Sequence, residues 1–341
     1  MNTFFVRGRG KASGFTLIEL MISLLLGLLV IAAAGALFIS NKRVYGATET
    51  VNRLQEGSRA AFEIMARDIR SAGASPCGAP ITSFQSVLNT PNDFHWSEFS
   101  QAVHGATNTY GDVLRLYNGA DFDNPIYITK HDGPQAPMGL SSNGDLDPNG
   151  GEILVACNSA RGFIFQSTGL NANGLIHNTG KGTPGNCGKN FGPNCSNGAN
   201  DPQAYCFSFG RTCNRGMPSE PPPPAQLIKV NGVEWWIDLN GRGTTSLFRQ
   251  QLAMGGAATT RQEIVEGVTG MTLSYQQTPG GAFLAAANVT DWSQVRAINV
   301  QLTFAAVEGI QRGQDLRGTD NAVLDRTMSS IITIRNREGV L

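Results

Sequence analysis

Gly14-Phe15-Thr16-Leu17-Ile18-Glu19-Leu20-Met21 opens an apolar run that continues to Ile39, and the rest of the chain is organised around it. The thirteen residues before it carry Arg7, Arg9 and Lys11 and no acid. From Leu20 to Ser40 nothing is charged, and only Ser23 and Ser40 are polar. Twenty apolar residues make a helix of about 30 Å, the hydrocarbon thickness of a bilayer. One acid, Glu19, stands at the front edge of that segment. A carboxylate inside the membrane costs on the order of 3 kcal/mol, so its presence needs a cause. A secretory signal peptide explains the basic start, and Ala32-Ala33-Ala34 or Ala34-Gly35-Ala36 would serve as its cleavage site. The apolar stretch is too long for such a signal, whose core is usually about 7–15 residues. A plain signal anchor explains the length but gives Glu19 no role.

Glu19 is the fifth residue counted from Phe15. That arrangement resembles the class III signal of type IV pilins and pseudopilins. The resemblance implies that a prepilin peptidase cuts between Gly14 and Phe15 and N-methylates Phe15. It also implies a role for Glu19 in assembly, pairing with the Phe15 ammonium of a neighbouring subunit and setting axial register. Physical chemistry agrees: a carboxylate near a helix N-terminus is favoured by the macrodipole, and the pairing relieves an orphan charge. Pairing with the chain's own N-terminus is the alternative. The organisation that follows is a leader over 1–14, a membrane or filament-core helix over 15–40, its amphipathic continuation over 41–73 and a β-rich body over 74–341. Arg7, Arg9 and Lys11 hold the leader on the cytoplasmic side of an inner membrane, and Lys42 and Arg43 on the far flank work against that assignment.

Composition sets the remaining bounds. The chain has 341 residues, enough for one large domain or two small ones, and no net charge (26 basic and 26 acidic residues). That balance shows no basic footprint for nucleic acid. Its 41 glycines point to many turns in a β-rich body. Six cysteines in a chain exported to an oxidising compartment, as the resemblance implies, point to disulfides. Cys77 follows the helix and Cys157 follows an apolar strand, so this pair is expected to staple helix end to sheet. Cys187, Cys195, Cys206 and Cys213 crowd together and are expected to pair among themselves. Six cysteines permit fifteen pairings, so the connectivity stays open. No C-x₂-C spacing and no neighbouring histidine argues for a metal instead.

Beyond the membrane run, Val44, Val51, Leu54, Ser58, Phe62, Met65 and Ile69 recur on one helical face. Glu49, Asn52, Gln55, Glu56, Arg59, Glu63, Arg67 and Arg70 lie opposite. Gly73 offers a C-cap and Pro76 a stop, so one helix is predicted from Phe15 to Ala72. Short alternating segments then predict strands at 112–117, 126–129, 153–156, 163–166, 233–239, 246–252, 262–268, 271–276, 297–307 and 330–335. Met271, Leu273 and Tyr275 face one way and Thr272 and Ser274 the other, which reads as antiparallel sheet covered on one face by the helix. The segments at 233–239 and 246–252 read as a hairpin. Between the two groups of strands, 168–224 is rich in Gly, Asn, Pro and Cys and is expected to form an ordered knob facing a partner or the filament tip.

Further motifs sharpen the resemblance. Glu263-Ile264-Val265-Glu266-Gly267-Val268, Trp292-Ser293-Gln294-Val295, Ser246-Leu247-Phe248-Arg249 and Ile332-Thr333-Ile334-Arg335-Asn336-Arg337 look like the PilW family of minor pilins. The resemblance implies an α+β, type IV pilin-like fold, with the helix packed on an antiparallel sheet. It implies a minor pilin that joins other minor pilins and a PilY-type adhesin at the filament tip, primes assembly of the major pilin and engages an inner-membrane assembly platform. The chain would then sit in the inner membrane of a Gram-negative bacterium, body in the periplasm, and later at the pilus tip, serving twitching motility and adhesion. The rival classes are a GspJ-like pseudopilin of a type II secretion system and a binding module, either adhesin or DNA-uptake pilin. For DNA, Lys181, Lys189 and Arg211 are the candidate patch.

Enzyme chemistry is not signalled. His95, His104, His131 and His177 are scattered, and neither a G-x-S-x-G elbow nor a phosphate-binding loop is present. No cofactor is expected. The best ion candidate is Asp145-Leu146-Asp147-Pro148-Asn149-Gly150, which copies the start of an EF-hand loop through Asp145, Asp147 and Asn149. It has Ala156 where the bidentate Glu belongs, and it reads equally as an ordinary turn.

Overall fold

The computed structural model describes residues 14–337 apart from 80, 90–97, 121, 173, 180, 181, 183, 193, 194, 196–202, 209–223, 253–259 and 306–324. One helix, α1 (Leu17–Ser71), is followed by fifteen strands among the described residues. They are β1 (Gln85–Ser86), β2 (Val103–Asn108), β3 (Gly111–Ala120), β4 (Ile126–Lys130), β5 (Gly139–Leu140), β6 (Ile153–Cys157), β7 (Gly162–Gln166), β8 (Gly169–Asn171) and β9 (Gly174–Ile176). The later ones are β10 (Ala225–Leu239), β11 (Thr245–Gln251), β12 (Gln262–Glu266), β13 (Val268–Gln276), β14 (Ala297–Ala305) and β15 (Asp325–Thr333).

The chain forms two compact units, Met1–Arg53 and Leu54–Leu341. In the first, the apolar side chains of α1 from Leu17 to Ile39 are exposed on every side. The segment is long and apolar enough to cross a membrane. In the second, the last turns of α1 are part of a core. Met65 and Ile69 are wholly buried and pack with Leu114, Trp235, Met271 and Val300 of the sheet. The compact body thus begins inside the helix, at Leu54, and not after it. The helix stops where Gly73 takes φ +76°, a left-handed conformation that suits glycine, and donates its N–H to the Tyr117 carbonyl.

The main sheet runs β1-β7-β6-β10-β3-β13-β14-β15 and is mostly antiparallel, the parallel pairs being β1–β7 and a single contact of β13 with β3. β10 is the hub. Its first residues lie between β4 and β6, its middle pairs with β3, and its last seven residues form a hairpin with β11. That hairpin runs from Val233↔Gln251 to Leu239↔Thr245, as the alternation predicts. β10 itself starts eight residues before the predicted strand. Lys229, Asn231 and Gly232 break the apolar alternation, yet Gly232 is where a side chain would meet Leu252 and Tyr117. β2 and most of β15 also escape the alternation, because Gly, Thr, Ser and Asn dominate them.

Met271, Leu273 and Tyr275 are buried while Thr272 is exposed, the predicted facing. The residues of the 168–224 insert that are described build core as well as surface. Phe191, Tyr205 and Phe207 are buried against Phe163 and Phe165 of β7. A partner-facing knob does not require that inward aromatic packing, and the sequence expectation missed it because these three aromatics have no period.

Candidate functional site

The head of α1 is built by four residues. Gly14, Phe15 and Thr16 are exposed and non-helical, and the helix begins at Leu17. Thr16 is its N-cap. The Thr16 carbonyl accepts the first helical bond from the Leu20 N–H at 3.2 Å. Thr16 Oγ1 accepts the Glu19 N–H at 3.3 Å. Glu19 Oε2 reaches back to accept from the Thr16 N–H at 3.4 Å and from its hydroxyl at 3.2 Å. This is a capping box, Thr-x-x-Glu. It corrects the predicted helix start at Phe15 by two residues, because a side-chain cap satisfies N–H groups that would otherwise be left bare. The pattern was present in the sequence but stood in the shadow of the reading given to Glu19.

The consequence is chemical. Glu19 is held at the positive end of the helix dipole by Oε2, and Oε1 has no hydrogen bond among the described residues. The carboxylate can therefore cap its own helix and still meet a cation. The Gly14–Phe15 bond lies in exposed backbone, and no atom lies within 4 Å of where a Gly14 Cβ would stand.

In the body, Asp68 locks the helix to the sheet. Its Oδ2 accepts from Trp235 Nε1 at 2.9 Å and from Arg249 Nε at 2.8 Å, and Arg249 Nη2 reaches Oδ1 at 3.2 Å. Sequence reasoning passed over this residue. The available signal was an acid beside Ile69, missing from the polar face of the helix. A second network surrounds buried Glu98, which accepts from the Tyr117 hydroxyl at 2.6 Å and from Arg115 at 3.2 Å, with His104 Nε2 at 3.4 Å. Burial first, opposed by the Glu98 charge, leaves the His104 pKa below its ordinary value.

Cys77 is bonded to Cys157, with Cα atoms 5.9 Å apart, and Cys187 to Cys195, at 5.2 Å. Cys206 is also in a disulfide, and Cys213 lies outside the described residues. His95, Lys181 and Arg211 lie outside them too. In the 145–150 turn, Asp147 Oδ1 accepts the Asn149 N–H at 2.8 Å and Glu152 Oε2 accepts the Asp147 N–H at 2.9 Å. These bonds close an Asx turn. Among the described residues no group of three or more His, Cys, Asp or Glu is placed to hold a metal ion.

Residues 9–35 match the prokaryotic N-terminal methylation motif, and residues 234–333 match the family described as Type IV Pilus-assembly protein W. The second match takes in β10 from Glu234 to the end of β15. No curated protein matches the chain. A solved structure, a type IV-like pilin from Thermus thermophilus, is similar at 10% identity and a TM-score of 0.32, over 84% of this chain and 97% of that one. A methylation motif at the head of its helix and a pilus-assembly W match through the hub and edge of its sheet make the chain similar, over those two segments, to type IV pilus pilins of the PilW type.

Proposed function

We propose that the chain is a minor pilin, a structural subunit that primes a filament at its tip and anchors a tip adhesin there. On this reading a prepilin peptidase cuts between Gly14 and Phe15, Phe15 is N-methylated, and the helix waits in the inner membrane until the assembly platform engages it. Glu19 then pairs with the new ammonium of an adjoining major or minor pilin. The observation that carries the reading is the head of α1, where an exposed scissile bond precedes a capped helix whose acid keeps one oxygen unengaged. The extent of the body, from Leu54 onward, supports a place at the tip more than in a tightly packed shaft.

Intact mass and N-terminal peptide analysis of the membrane-extracted protein tests it first. A start at N-methyl-Phe15 is the expected result, and a soluble protein starting near Gly35 overturns the reading. Glu19→Ala and Glu19→Gln then separate the two uses of the acid. Both variants are expected to be processed and inserted, since Thr16 Oγ1 still caps position 19 and Gln can complete the box. Both should fail to enter filaments, because neither carries the charge. Normal piliation by Glu19→Gln would show that capping, not charge, is what assembly needs. Lost type II secretion with intact pili in a deletion strain would transfer the chain to the pseudopilins.

A further inference from the structure

Among the described residues β15 is the edge of the main sheet, and after its first two residues, Asp325 and Arg326, it lacks the devices that usually close an edge. It pairs with β14 through nine consecutive residues without a bulge, from Ala305↔Asp325 to Ala297↔Thr333. From Thr327 to Thr333 it has no charge, proline or glycine. Natural edge strands are ordinarily blunted by charged side chains, Pro, bulges or shortness.

The direction of its backbone groups follows from four bonds. In an antiparallel ladder successive residues address opposite neighbours. Ala305 donates to the Gly267 carbonyl, so the odd-numbered residues of β14 serve β13 and the even-numbered ones serve β15. Leu273 and Tyr275 of β13, opposite Val300 and Ile298, donate away from β14, to Asp112 and to Leu284, which agrees. Ile334 donates to the Arg296 carbonyl, so the even-numbered residues of β15 address β14. Thr327, Ser329 and Ile331 therefore point their N–H and C=O groups off the sheet, and no bond to them is made among the described residues.

The geometry points to β15 as a strand-addition edge, where an extended, uncharged segment of a second polypeptide extends the sheet. Main-chain bonds to Thr327, Ser329 and Ile331 would supply affinity, and the two faces would supply selection. On the core side the row ends in buried Ile332, and on the outer side it carries Thr327, Ser329 and the exposed Ile331. A fitting segment thus alternates apolar and hydroxyl or amide residues over about five to seven positions. A charged segment would find no counter-ion from Thr327 to Thr333. The inference does not depend on a tip location.

The test uses the full-length protein in detergent and a fluorescent peptide with the sequence of residues 297–305, flanked by lysines, since that alternation already fits β15 from its other side. Saturable binding is expected, with none for the same peptide carrying Pro at its central position. Ser329→Pro removes an outward N–H and should weaken binding at least tenfold while leaving the thermal midpoint nearly unchanged, as edge prolines do. Ser330→Pro removes an N–H that serves β14 and should lower the midpoint. Ile331→Lys, which leaves the backbone intact, should weaken binding independently of any folding defect. Absence of saturable binding, or equal binding by Ser329→Pro and Ile331→Lys, overturns the proposal. A concentration-dependent dimer lost in Ser329→Pro would give the edge to a second copy and overturn the choice of partner.

Discussion

Asp68 is the residue whose loss the body should tolerate least. Its carboxylate joins a helix to two strands, with only 12% of the side chain exposed and 20% of that of Arg249. Removing one partner of a buried ion pair leaves the other charge unpaired, at a cost of about 3 kcal/mol for a pair with this residual exposure. Asp68→Ala should lose that much in urea denaturation followed by tryptophan fluorescence, and Asp68→Asn, which still accepts from Trp235, should lose about half. His131 and His177 make a second prediction. Their rings lie 5.4 Å apart among Phe165, Phe191 and Phe207, with His131 wholly buried. Burial, and for His131 also the neighbouring His177, pushes both below the ordinary histidine value, His177 to about 4. The folded state therefore binds fewer protons than the unfolded one below pH 6.5, and stability is lost as pH falls from there toward 4. His177 alone should remove about 2 kcal/mol by pH 5. The thermal midpoint is expected to drop between pH 7.5 and 5, and to drop less in His177→Phe, where buried His131 still opposes protonation. At this scale Cys77, Cys157, Cys187, Cys195 and Cys206 were legible as disulfide formers because the chain's even cysteine count and their crowding make them anomalous. Asp68 and the histidines were not, since a lone polar residue reveals its partner only after folding.

Elements were legible in proportion to their apolar period. The helix and the β10–β11 hairpin were read nearly to their ends, while β2, the first half of β10 and most of β15 were not, because polar residues and glycine fill positions where the ladder, and not a hydrophobic face, holds the strand. The helix start was misplaced for a different reason: the local hydrogen bond that Thr16 Oγ1 accepts from the Glu19 N–H outweighed the apolar Phe15. The link between elements carries its own prediction. The Cys77–Cys157 disulfide ties the segment after α1 to the end of β6 and closes a separation of 80 residues, whereas Cys187–Cys195 closes only 8. In the chain-entropy account the first is worth about 4 kcal/mol and the second about 2. Replacing Cys77 and Cys157 by Ser should therefore lower the denaturation midpoint roughly twice as far as replacing Cys187 and Cys195. Equal losses would mean that local packing around Phe191, and not loop closure, sets the contribution of the smaller ring.

For the molecule as a whole, the decisive boundary lies within an element. A sequence reading ends the helix at residue 73 and starts the body at 74, because composition changes there. Packing moves the start of the compact unit to Leu54, since Ala61, Met65, Ile69 and Asp68 belong to the core that the sheet completes. Burying Met65 and Ile69 contributes about 2–3 kcal/mol each, which a chain beginning at residue 74 would forgo together with the partners of Trp235 and Arg249. Such a chain would also expose the apolar sheet face that these residues cover, an aggregation hazard. A chain beginning at Leu54 keeps every one of these contacts and discards a segment whose apolar side chains from Leu17 to Ile39 are exposed. It should therefore be soluble without detergent and melt within a few degrees of the full-length protein, with the same amide-exchange protection in β10, β13 and β14. The chain beginning at residue 74 should precipitate or show ANS binding. If it instead matched the longer one in melting and exchange, the helix would be a passenger on the sheet, and the Asp68 lock would have to answer to assembly and not to folding.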